Sequence, residues 1–184
     1  MKYIKKLLSG IVLFALISTV AIAAEYPTRM EQEFRDYKVI ISEGIGEPRS
    51  IGSYDVRIYR DRLDSFVAGT LQKRDGSITK CWVLDMNNRR DMEIIVWIRS
   101  AGSGAYGYLD VFEFDGKKLK SIKVSSPPKE LLPGYRGRDC FTVQKDGIIR
   151  EFPIYMEQDT MSNPTGGKRT LKFLFKKKKW IRLN

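Results

Sequence analysis

Short apolar stretches separated by turn signals run through this chain from residue 39 to the end, and almost none of them keeps a helical period. Runs of four to eight residues bounded by Gly, Pro, Asn and Asp are the pattern of strands. Such strands are expected near 39–41, 54–59, 66–72, 78–84, 93–99, 106–114, 119–124, 140–144, 148–156, 170–175 and 180–183. Asp75-Gly76, Asp115-Gly116 and Asp146-Gly147 fall between neighbouring runs. Asp-Gly is the chemistry of tight hairpins, because glycine tolerates the positive φ those turns demand. Helix is expected only near 28–37 and at 129–132, the latter entered through Pro127-Pro128. About ten short strands with one or two short helices make an all-β protein, an antiparallel β-sandwich or flattened barrel, whose simplest topology is a meander.

The first 23 residues read as a secretory signal. Lys2, Lys5 and Lys6 precede an apolar run from Leu7 to Val20, and Ala21-Ile22-Ala23 places small residues where a signal peptidase looks. The polar continuation Glu25-Tyr26-Pro27 favours cleavage over an uncleaved anchor, and no cysteine stands at the cleavage point for a lipid. Residues 24–184 then form a single exported domain without a membrane anchor, with no linker or repeat dividing it. Its two cysteines are Cys81 and Cys140. An oxidising compartment favours joining them, which would contribute roughly 4 kcal/mol in the chain-entropy model. The alternative is two free thiols.

The absence of histidine removes Ser-His-Asp and Cys-His catalysis and nearly all common zinc sites. Gly102-Ser103-Gly104 is followed by neither Lys-Ser/Thr nor a helix, so it is no phosphate loop. Carboxylates are plentiful, but nothing marks one pair as catalytic. A binding protein with no cofactor and no metal is expected rather than an enzyme. Asp85 to Glu93 spaces oxygen ligands faintly like a calcium loop, but Arg89 and Arg90 would repel the ion.

The most unusual segment is Arg99-Ser100-Ala101-Gly102-Ser103-Gly104-Ala105-Tyr106-Gly107, set between two apolar strands. Three glycines in six positions allow sharp backbone turns and close approach to a partner. By composition alone this is an ordinary hairpin loop. Ser103-Gly104-Ala105-Tyr106, however, resembles the Ser-Gly-x-Tyr loop of the periplasmic lysozyme inhibitors. The wider text from Asp85 to Gly116 is similar to the inhibitors of invertebrate-type (i-type) lysozyme.

That resemblance implies a periplasmic protein whose partner is a lysozyme and whose loop enters and occludes the substrate cleft. Ser103 and Tyr106 would donate hydroxyl hydrogen bonds to the enzyme's catalytic carboxylates. Gly102 and Gly104 would let the loop fit a narrow cleft.

Charge bears on the target. Losing Lys2, Lys5 and Lys6 with the leader lowers the net charge from +11 to +8. That excess is carried by the eight cations after Asp159, including Lys176 to Lys179. Vertebrate-type lysozymes are commonly strongly basic, so an i-type enzyme, or a more acidic relative, is the better electrostatic match. The rival reading is a non-catalytic β-sandwich module that binds anionic envelope polymers through these basic terminal strands. Against it, the lysines read as a solvated hairpin tip with Leu171, Phe173 and Phe175 facing the core. Export makes nucleic acid an improbable natural partner.

Overall fold

A computed structural model describes residues 28–60, 65–86 and 89–184; the expected signal segment lies outside these residues. Among the described residues are twelve strands in three four-stranded antiparallel sheets. The first sheet is β1 (Arg29–Phe34), β2 (Tyr37–Glu43), β3 (Gly52–Arg60) and β4 (Ser65–Arg74), in chain order. The second is β5 (Ser77–Leu84), β6 (Met92–Arg99), β7 (Gly107–Phe114) and β8 (Leu119–Ile122), again in order. The third comprises β9 (Cys140–Gln144), β10 (Gly147–Pro153), β11 (Lys168–Leu174) and β12 (Lys179–Arg182). Each sheet is a plain meander, as expected, and none closes into a barrel.

The second sheet is the middle layer. Ile94, Val96 and Ile98 of β6 join Val39, Ile41, Val56 and Ile58 of the first sheet in one core. The alternate residues Ile95 and Trp97 join Phe141, Ile148, Phe152, Leu171 and Phe173 of the third sheet in another. Side chains alternate across a strand, so a strand covered on both faces must be apolar throughout. Met92 to Ile98 are accordingly buried without a break, and the one charged member, Glu93, accepts the Met86 N–H over 2.7 Å.

Two expectations are corrected. Residues 28–37 contain β1 and not a helix. Met30, Gln32 and Phe34 are half-buried while Arg29, Glu31 and Glu33 are exposed, which is a period of two. Pairing of β1 with β2 through a two-residue turn at Arg35, φ +55°, overrides the helix formers in this stretch. The only helical pieces described are single 3-10 turns, Lys129–Leu131, where a short helix was expected, and Phe175–Lys177.

Asp75-Gly76 is also not a hairpin. It links β4 of the first sheet to β5 of the second, which do not pair. A Cβ on Gly76 would stand 2.1 Å from the Arg99 carbonyl oxygen, so the corner itself demands glycine. The other two Asp-Gly pairs do fall at the β7–β8 and β9–β10 hairpins.

Candidate functional site

The Ser-Gly-x-Tyr segment is the β6–β7 connection of the middle sheet, closed at its base by the Arg99–Gly107 pair. Its shape is set internally. The Ser100 N–H donates to the Tyr106 carbonyl (2.9 Å), and the Tyr106 N–H donates to Ser100 Oγ (2.9 Å). The Ala105 N–H donates to the Gly102 carbonyl (2.8 Å), with Ala105 at φ +44°. These bonds leave Gly102 and Ser103 exposed at the tip, and a Cβ on Gly102 would meet nothing. Tyr106 is 48% exposed, and its ring stands edge-on to Tyr135, centroids 5.7 Å apart. Neither the Ser103 nor the Tyr106 hydroxyl has a hydrogen-bond partner among the described residues.

Gly104 differs from Gly102. It is buried, and its carbonyl accepts the Arg138 N–H over 2.7 Å. A Cβ on Gly137, at φ +100°, would stand 2.0 Å from that carbonyl oxygen. The structure therefore gives Gly104 a contact inside the protein, where an open loop tip was expected.

A polar cluster lies beneath the loop. Asp139 is 1% exposed. Its Oδ2 accepts the Gly107 N–H (2.7 Å) and the Tyr135 hydroxyl (2.6 Å), and its Oδ1 accepts Arg150 Nε (2.7 Å). A second Arg150 nitrogen donates to the Tyr135 hydroxyl over 2.6 Å. The guanidinium also lies over the rings of Tyr135, Phe141 and Phe152. Burial, and then the bond to Asp139, push the Tyr135 phenol pKa up, so this hydroxyl keeps its proton. A buried carboxylate with a full set of donors holds its surroundings in one arrangement. Here the surroundings include the amide that starts β7.

Sequence reasoning found the loop and missed this brace. One signal for it was available: Arg150 shares a strand face with Ile148 and Phe152, both core residues, and a guanidinium there needs a buried acceptor.

The expected Cys81–Cys140 bridge does not form. Cys81 is buried in the core between the first and second sheets, and Cys140 is exposed at the start of β9 in the third. The middle sheet lies between the two thiols, and both are free. Burial pushes the Cys81 thiol up to about 11.

The lysine run sits at the β11–β12 hairpin, where Lys176 to Lys179 are exposed while Leu171 and Phe173 are buried, as expected of a solvated tip. A cavity of about 850 Å³ beneath it sets Glu93, Glu113 and Asp146 among the lysines, which is a mixed lining and not a polyanion groove.

A family model described as "PliI: Periplasmic lysozyme inhibitor of I-type lysozyme" matches residues 32–130, more than half of the chain. The chain belongs to this family. Its members are inhibitors and not catalysts, and their compartment, the periplasm, is this chain's compartment. Residues 131–184, which include the whole third sheet, lie beyond the matched region. Among solved structures, PliI from Aeromonas hydrophila is 39% identical, with 52% of this chain and 86% of that chain covered and a TM-score of 0.48. The structure of Aeromonas hydrophila PliI in complex with Meretrix lusoria lysozyme is also 39% identical, with 53% and 81% covered and a TM-score of 0.46. No curated protein matches.

Proposed function

We propose that this chain inhibits lysozyme stoichiometrically, with i-type enzymes preferred, by inserting the Ser103–Tyr106 loop into the substrate cleft. The observation that carries the reading is that two hydroxyls without partners among the described residues stand exposed on a loop whose backbone is held on both flanks. Lysozymes flank the scissile bond with two carboxyl groups. A hydrogen bond from a buried hydroxyl to an ionised carboxylate contributes about 1.5–3 kcal/mol. Because the loop is already ordered, little conformational entropy is lost when it docks. No cofactor takes part. The benefit to the cell is protection of its peptidoglycan from a foreign enzyme.

Tyr106→Phe isolates the hydroxyl, because the ring can keep its contact with Tyr135. Inhibition of an i-type lysozyme is expected to weaken about tenfold or more, the equivalent of one hydrogen bond of this kind. Unchanged inhibition would remove Tyr106 from the role.

A further inference from the structure

Arg138 occupies a costly conformation for a residue with a side chain. Its φ is +59°, directly after Gly137 at +100°. This is the left-handed region that favours glycine. Two successive left-handed residues turn the chain so that the Arg138 N–H meets the Gly104 carbonyl, one hydrogen bond from the loop tip. The backbone geometry needs no arginine here, since glycine would adopt it more easily. The Arg138 side chain is exposed and has no carboxylate partner among the described residues.

Arginines flank the loop, offset in part by the Asp159 carboxylate beside Arg136 and by the exposed Asp75, next to the glycine that packs on Arg99. Arg99, at the base of the hairpin, is exposed with its guanidinium over the Trp97 ring. Arg136 donates to the backbone carbonyls of Asp159 and Met156. The carboxylate under the loop, Asp139, is buried and neutralised by Arg150. The two exposed hydroxyls therefore emerge beside Arg138, an exposed cation without a carboxylate partner among the described residues, and a cleft with two carboxyl groups is its electrostatic complement.

We infer that the 134–139 turn is a second contact of the inhibitory surface, with the Arg138 guanidinium meeting the acidic cleft of the lysozyme beside the Ser103–Tyr106 loop. The inference rests on the loop reading above and extends it to a residue beyond the region matched by the family. It makes Arg138 a determinant of affinity and association rate rather than of folding.

The test compares Arg138→Gly and Arg138→Glu with wild type in binding kinetics against an i-type lysozyme at low and high ionic strength. Arg138→Gly suits the local φ and removes only the side chain. It is expected to weaken binding about fivefold with an unchanged or raised melting temperature. Arg138→Glu is expected to weaken it about thirtyfold or more, chiefly through slower association, with the gap narrowing as salt rises. Lys177→Glu makes the same charge change at the exposed β11–β12 hairpin and is expected to leave binding within about twofold.

Wild-type affinity in Arg138→Glu, alongside weakened Tyr106→Phe, would overturn the second contact and leave the loop reading standing. Equal losses in Arg138→Glu and Lys177→Glu would assign the effect to net charge and also overturn it. A wild-type protein that binds no lysozyme would bring down the loop reading and this inference together.

Discussion

The backbone N–H of Arg138 donates to the carbonyl of Gly104 over 2.7 Å, tying the segment that leads into the third sheet to the loop of the middle sheet. Beside it, Asp139 holds the amide of Gly107. The loop is thus fastened at its tip side and at its exit by consecutive residues of a segment outside the family match.

Gly137→Ala should disturb the loop from a distance. The new Cβ would collide with the Gly104 carbonyl oxygen at a φ that already disfavours alanine. Lysozyme inhibition is expected to fall about tenfold, with faster hydrogen exchange at the Ala105 amide. Gly102→Ala is the contrast, because its Cβ enters open space. Stability should then change by less than about 0.5 kcal/mol, and any loss of inhibition would report the width of the cleft. Equal inhibition by Gly137→Ala and wild type would show that the brace does not shape the loop.

Asp139→Ala leaves the Arg150 guanidinium buried without its carboxylate. Removing one partner of a buried pair typically costs about 3–5 kcal/mol, and urea unfolding should show a loss of that order. A loss under about 1 kcal/mol would mean that water or another group readily replaces Asp139.

Asp110 imposes a pH dependence of known sign. Burial raises its pKa above the ordinary 3.8, outweighing the hydrogen bond it accepts from the Tyr54 hydroxyl over 2.6 Å. A carboxyl with a raised folded pKa holds its proton more tightly in the fold than in the unfolded chain. Its contribution is therefore favourable in acid and is lost as pH rises from about 3.8 through the higher folded value. Asp110→Asn keeps an acceptor for Tyr54 and cannot ionise. Its stability relative to wild type should rise across that window; a flat difference would contradict the assignment.

The thiols give a direct readout of the corrected pairing. Native protein should react with one equivalent of a thiol reagent, at Cys140, and with a second at Cys81 only on unfolding. No reaction in either state would restore the disulfide.

Much of this was legible because strands announce themselves locally. The apolar run Ile94 to Ile98 and the Gly-rich segment after it placed β6, its loop and β7 without long-range information. β1 was not legible: Met30, Phe34 and Tyr37 suit one face of a helix as well as one side of a strand, and only pairing with β2 decides. The Asp75-Gly76 corner looks locally like a hairpin, since the same positive φ serves both. The pairing of cysteines depended on which faces of which sheets they occupy, and the brace joins residues 32 positions apart. Neither follows from local chemistry.

Cleft occlusion by the loop is tested by a titration of i-type lysozyme, in a peptidoglycan-lysis assay, with the mature protein and with the double variant Ser103→Ala, Tyr106→Phe. Wild type is expected to remove activity one-to-one, and the variant to inhibit at least about a hundredfold more weakly, from two lost hydroxyl–carboxylate bonds. Undiminished inhibition by the variant, or none by wild type at micromolar excess, would contradict that occlusion.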